Sequence, residues 1–143
     1  MNDIKAFAET CDSMRTISPL NKGLGPMNRS MSAEQIAVEG WNLLADDFSL
    51  PTAVLYEDKL KNNLHWMQQF VETYGVRLAP HGKTSMAPKL FAMQLLGGAW
   101  GITMATAHQT RVAYAHGVRR VLMANQLVGR QNMEISLVSK ICG

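Results

Sequence analysis

The chain has 143 residues, 47% of them hydrophobic and 17% charged, a size and balance that suit one globular domain and exclude a disordered tail or a fibrous repeat. The formal net charge is only +3 and the fourteen Lys and Arg are scattered, so the dense basic patch that nucleic acid requires is absent. No apolar run approaches the roughly 18 residues of a membrane span and the N-terminus lacks a secretory pattern, so no membrane partner and a cytoplasmic location are expected.

The first thirty residues, with Pro19, Gly23, Gly25 and Pro26, read as an extended or loosely ordered leader. Ser32 followed by Gln35 has capping-box spacing, and Ile36, Trp41, Leu43 and Leu44 then line one face. That pattern predicts a helix over 33–45, with Gly40 inside it. Residues 1–49 are accordingly a leader and a helix ahead of the main domain, 50–143. Cys11 and Cys142 stand near opposite ends without metal-ligand or disulfide-framework spacing, so both are expected to be free thiols. The ten Met residues suit irregular gaps in a core.

After Pro51 the chain alternates. The run Ala53-Val54-Leu55-Tyr56 has the length and apolar character of a buried strand. Asp58 is placed to cap a helix reaching about Tyr74, with Leu60, Leu64, Met67 and Val71 at three- and four-residue steps and Gly75 as its stop. A second strand over 76–79 precedes a helix over 86–96 that ends at Gly97-Gly98. A third strand over 101–105 is followed by a helix over 107–116, closed by Gly117. A fourth strand over 121–124 leads to a helix over 131–140.

Four strand–helix units in succession predict an α/β protein with a parallel sheet and helices outside it. Such a count is met by a small open doubly wound sheet or by half of a closed (β/α)8 TIM-type barrel. A barrel needs about 250 residues, so in that reading the chain is truncated, and its last residues, Lys140-Ile141-Cys142-Gly143, supply no closing strand.

The segment Leu78-Ala79-Pro80-His81-Gly82-Lys83-Thr84 follows the second predicted strand, at the sheet edge where α/β proteins bind ligands. A lysine amine there that spends time neutral can attack an aldehyde. Gly82-Lys83-Thr84 also matches the end of a phosphate-binding Walker A loop. The glycine required five residues before Gly82 is instead Arg77, and Pro80 lacks a backbone N–H for such a cradle, so that reading fails. Composition and spacing alone describe a solvated loop lysine beside a capping or packing histidine.

Over roughly residues 50–130 the chain resembles the D-threonine aldolase and D-serine dehydratase family. The resemblance rests on Leu50-Pro51-Thr52-Ala53-Val54-Leu55, Asn63 and the run from Val76 to Thr84. It continues through Gly101-Ile102-Thr103-Met104-Ala105-Thr106, the helix from Ala107, and Leu122-Met123-Ala124-Asn125-Gln126. It implies four consecutive βα units of an alanine racemase-type barrel, with pyridoxal 5'-phosphate held by Lys83 as a Schiff base. His81 and Thr84 share the lysine motif. Thr106, Asn125 and Gln126 stand at strand ends that would face the cofactor ring.

The resemblance further implies a lyase of D-amino acids. Dehydration of the D-serine or D-threonine type, giving a keto acid and ammonia, is expected ahead of D-threonine aldolase cleavage, with racemization third. A non-catalytic pyridoxal-phosphate-binding protein and an inactive truncated product are the alternatives. Many relatives have histidine where this chain has Ser85, so the motif leaves the substrate open. The family's phosphate-binding strands, C-terminal β-domain and divalent-metal ligands have no counterpart in this chain, so no metal site is expected within it. A complete chain of this kind is expected to pair as a homodimer.

Overall fold

The computed structural model describes residues 16–138. Cys11, Cys142 and the predicted helix end at Lys140 lie outside the described residues. A short antiparallel ladder comes first: β1 (Thr16–Ile17) pairs with β2 (Met31–Ser32), Thr16 opposite Ser32 and Ile17 opposite Met31. Met31 is buried. The second half of the expected leader is therefore tied back on itself. It is also anchored forward, since the Thr52 hydroxyl donates to the Gly23 carbonyl at 3.0 Å.

The Ser32 capping box forms as its spacing requires. Ser32 Oγ accepts from the Gln35 amide at 3.3 Å, and Gln35 Oε1 accepts from the Ser32 amide at 2.9 Å. The helix it starts, α1 (Ala33–Ala37), covers only the beginning of the predicted 33–45 span. The helix stops at Ala37 with Val38 as its C-cap, and Gly40 adopts φ +69°, a left-handed conformation that a right-handed helix cannot continue through. The chain resumes as a 3-10 turn over Leu43–Ala45, capped by Asn42.

The predicted strand over 53–56 is not formed. These residues have no strand pairing, and Val54, Leu55 and Tyr56 are exposed. Helix α2 (Glu57–Thr73) follows, with Tyr56 at its N-cap and no side-chain cap. The expected Asp58 cap is thus corrected: the helix begins two residues earlier, which places Glu57 and Asp58 in its first turn, where negative charge complements the helix dipole. Lys61 Nζ approaches Glu57 Oε1 at 2.6 Å. Of the predicted apolar stripe, only Val71 is fully buried. Leu60, Leu64 and Met67 instead line one side of a cleft of about 360 Å³, opposite Leu78, Pro80, Gln94 and Ala99. On another side of the helix, Trp66, Phe70 and Tyr74 form an exposed ladder with ring centroids 5.6 and 4.7 Å apart.

The centre of the fold is a parallel pair, β3 (Ile102–Met104) and β4 (Val121–Met123), in the register Ile102 to Val121, Thr103 to Leu122 and Met104 to Met123. Helix α3 (Pro88–Leu96) precedes the pair, α4 (Ala107–Ala115) connects its strands, and α5 (Arg130–Val138) follows. Phe91, Ile102, Met104, Ala113, Val118 and Val121 form the buried cluster, with Met86 and Leu95 packed against it. Because side chains alternate along a strand, Thr103 and Leu122 fall on the opposite face. Leu122 is 50% exposed there, so one face of the pair is sealed by helices and the other is partly open.

The predicted strand over 76–79 is replaced by an irregular segment that still runs beside β3. The Leu78 carbonyl accepts from the Trp100 amide at 2.8 Å and the Pro80 carbonyl from the Thr103 amide at 2.7 Å. His81 makes a single parallel bridge with Thr103. Pro80 has no amide hydrogen to extend the ladder. The architecture is α/β with short sheets; of the four expected strands, two form and a third is reduced to this bridge.

Truncating Phe91 to Ala should lower unfolding free energy by about 3–5 kcal/mol, read by urea denaturation followed by circular dichroism. A change under 1 kcal/mol would mean that this cluster is not the structural centre. A second expectation concerns pH. The hydrogen bond and charge of Lys61 hold the Glu57 carboxyl below its ordinary value, with Lys89 adding to the effect. Its contribution is complete above the unfolded carboxylate range and is lost as pH falls through the folded value. Replacing Glu57 with Gln should flatten the melting temperature's dependence on pH in that acidic window and leave it unaltered between pH 7 and 8.

Candidate functional site

The loop carrying Lys83 is built from its glycine outward. Gly82 is buried, and a Cβ there would stand 2.5 Å from Ile102 Cγ2, 2.7 Å from Phe91 Cε1 and 2.8 Å from Met104 Cε. Its amide donates to the Thr103 carbonyl at 2.9 Å and its carbonyl accepts from the Met86 amide at 3.0 Å. Met86 holds φ +45°, a left-handed conformation rare for a non-glycine residue and more frequent at functional loops than elsewhere. The turn over 83–85 is consequently clamped at both ends by the hydrophobic core, while Lys83, Thr84 and Ser85 themselves are exposed.

His81, one residue before the glycine, is exposed and sits level with Thr103 and, across the ladder, with Leu122. These three positions share the partly open face, since laterally adjacent residues point the same way. Thr103 is 2% exposed, and its hydroxyl donates to the Ala79 carbonyl at 2.6 Å. This bond ties the segment ahead of the loop to β3 where a second regular ladder is lacking.

Thr106 is the N-cap of α4; its hydroxyl accepts from the Gln109 amide at 3.2 Å. Its carbonyl accepts both the amide and the hydroxyl of Thr110. Gln109 in turn reaches two backbones. Its Oε1 accepts from the Ala105 amide at 3.0 Å, and its Nε2 donates to the Lys83 carbonyl at 3.3 Å. Sequence reasoning passed over Gln109, although Thr106-x-x-Gln109 repeats the capping spacing seen at Ser32-x-x-Gln35.

Asn125 and Gln126 follow β4, whose end is joined to β3 by the bond from the Ala124 amide to the Met104 carbonyl at 2.9 Å. Asn125 Oδ1 accepts from the Gln126 amide at 2.9 Å, a local turn arrangement common for asparagine. Both side chains are exposed, and among the described residues no hydrogen bond joins them to His81, Lys83 or Thr106. The structure therefore links Lys83 with Thr106 through Gln109 and places His81 on the adjoining face. Asn125 and Gln126 share the strand-end edge without a hydrogen bond to the loop among the described residues.

The Lys83 ammonium has no carboxylate within ion-pair distance among the described residues. Its amine is available to a ligand. The cleft beside α2 is a separate feature, for none of His81, Lys83, Thr84, Thr106, Asn125 or Gln126 lines it. No helix among the described residues is long and apolar enough to cross a membrane.

Fold and loop together define an α/β protein that presents an exposed lysine, without an ion-pair partner among the described residues, at the C-terminal edge of its strands. No family model matches the chain. Over 74 residues it is 39% identical to D-threo-3-hydroxyaspartate dehydratase of Delftia sp. (strain HT23), a match covering 52% of this chain and 20% of that relative. The crystal structure of D-threonine aldolase from Filomicrobium marinum is similar with a TM-score of 0.62 and 29% identity, over 65% of this chain and 25% of that one. The chain thus matches about a fifth of the curated relative and a quarter of the solved structure. The two likenesses support a D-threonine aldolase/D-serine dehydratase-like family, the one that the lysine motif resembles.

Replacing Gly82 with Ala forces a methyl group into the contact with Ile102, Phe91 and Met104, and should destabilise the fold by about 1–3 kcal/mol. Thr106→Ala removes a helix cap and should cost about 1 kcal/mol. Urea denaturation of both variants checks the ranking; a Gly82→Ala chain as stable as the parent would show that the loop is not clamped to the core.

Proposed function

We propose that this chain is the cofactor-anchoring part of a pyridoxal-phosphate-dependent lyase of D-amino acids, with Lys83 as the attachment point. The observation that carries the reading is the exposed Lys83, with no ion-pair partner among the described residues, on a turn whose preceding glycine is fixed against the core. A primary amine held this way meets the chemical requirement for capturing an aldehyde cofactor. The nearby polar groups suit the same cofactor: Thr84 follows the lysine, Thr106 is linked to it through Gln109, His81 lies on the adjoining face, and Asn125 and Gln126 follow β4.

The proposed reaction is dehydration of a β-hydroxy D-amino acid. When bound, pyridoxal phosphate supplies an electron-withdrawing ring that makes the substrate's α-hydrogen acidic. Lys83 Nζ would hold the cofactor at rest and, once released, would take the α-proton and deliver it to the departing β-hydroxyl, so that water is lost across Cα–Cβ; hydrolysis of the resulting enamine would give a keto acid and ammonia. His81, on the partly open face, would orient the substrate, with Thr84 beside the lysine. The name of the Delftia relative favours dehydration. That of the Filomicrobium structure favours the second reading, in which the Cα–Cβ bond breaks to give glycine and an aldehyde.

Borohydride reduction of the chain with added pyridoxal phosphate, followed by peptide mass mapping, should place the dominant adduct on Lys83. Lys83→Ala should lose that adduct and retain the circular dichroism of the parent. A folded chain labelled evenly across its lysines would overturn the assignment. For the reaction, ammonia and keto acid released from D-serine or D-threonine would support dehydration, whereas glycine and aldehyde would support the aldolase.

A further inference from the structure

We infer that Gln109 is a positioning residue for Lys83: its carboxamide fastens the lysine's backbone to the end of β3 and so fixes where the amine stands. This inference rests on the cofactor reading of Lys83 and names the group that makes it site-selective.

The geometry separates two roles within one side chain. A glutamine at the third position of a helix ordinarily stabilises the helix start through its oxygen, which accepts a backbone amide just ahead of the helix. Gln109 Oε1 does this for Ala105 at 3.0 Å, while the Gln109 amide is itself held by Thr106 Oγ1 at 3.2 Å. Capping makes no use of the nitrogen. Nε2 instead crosses 26 residues of sequence to donate to the Lys83 carbonyl at 3.3 Å.

The turn over 83–85 needs such a tie. Its base is secured by Gly82, whose amide and carbonyl are bonded to Thr103 and Met86. Beyond that base, Lys83, Thr84 and Ser85 are exposed, and the contact from Gln109 is the one side-chain hydrogen bond that reaches them among the described residues. Without it the Lys83 peptide is held only through the ends of its turn, and the amine at the end of its four-carbon stem samples a wider volume. A lysine acting on a bound ring loses rate steeply with misplacement. Gln109 is half-buried at the start of α4, so it is held more firmly than the turn it steadies.

Two substitutions separate positioning from capping. Gln109→Glu keeps an acceptor for Ala105 and removes the donor to Lys83; Gln109→Met keeps the length of the side chain and removes both. Each 143-residue chain is incubated with pyridoxal phosphate, reduced with borohydride over a time course and mapped by mass spectrometry. Backbone hydrogen exchange at residues 83–86 is measured without cofactor, and thermal melting monitors the fold. For both variants the rate of adduct formation at Lys83, relative to the other lysines, should fall roughly tenfold, the scale of one or two lost hydrogen bonds. Exchange at 83–86 should rise by a similar factor, and the Gln109→Glu chain should melt close to the parent.

Unchanged exchange and unchanged Lys83 selectivity in either folded variant would sink the positioning role. Loss of selectivity in Gln109→Met with none in Gln109→Glu would also overturn it, by assigning the effect to the cap. A parent chain labelled evenly over its lysines would overturn the cofactor reading itself and this inference with it, so the two failures are distinguishable.

Discussion

The absence of a side chain at residue 82 is the constraint on which the candidate site depends. Gly82 lies so close to Ile102, Phe91 and Met104 that even a methyl group would overlap them. The same residue bonds through its amide to β3 and through its carbonyl to Met86. A position on a surface loop is thereby made part of the buried cluster, and the exposed lysine beside it inherits a fixed origin. Functional loops generally need such an origin, because a reactive group on a freely moving turn spends little time in a productive place.

Around that point the fold divides into a sealed side and a partly open one. Helices α3 and α4 cover the face carrying Ile102, Met104 and Val121, and here burial is complete or nearly so. The other face carries His81, Thr103 and Leu122 in one lateral row. Thr103 is buried because its hydroxyl turns sideways to the Ala79 carbonyl, whereas Leu122 stays half exposed. Polar edge and open face meet at the Lys83 turn, which is the arrangement expected of a ligand site in an α/β protein.

Local chemistry was legible wherever a few adjacent residues decide it. The capping box at Ser32 and Gln35 is present with both of its bonds, and the helices expected over 86–96 and 107–116 form within two residues of those limits. The strands over 101–105 and 121–124 also form, slightly shortened. The helix over 33–45 stopped at Ala37, and the left-handed conformation of Gly40 three residues on keeps it from resuming. In the candidate site, the lysine, its neighbouring histidine and the strand-end threonine were visible as a motif. Gln109 was overlooked because its partner at Lys83 lies 26 residues away, a separation that no helix or strand periodicity encodes.

The sequence by itself determined the α/β alternation, the Ser32 capping box, and a lysine-bearing turn after a strand-like segment, because each depends on short-range sterics and apolar spacing. Only the tertiary structure decided which apolar runs become strands. Residues 102–104 and 121–123 pair because each finds a partner and a helix-covered face, whereas 53–56, equally apolar, finds neither and is left without strand pairing. A strand is completed by hydrogen bonds to another segment, so its existence is a property of the assembled chain. Tertiary structure likewise decided that a side chain at residue 82 would meet the core and that Gln109 bonds to the Lys83 carbonyl, since both facts are distances between residues that the sequence keeps apart.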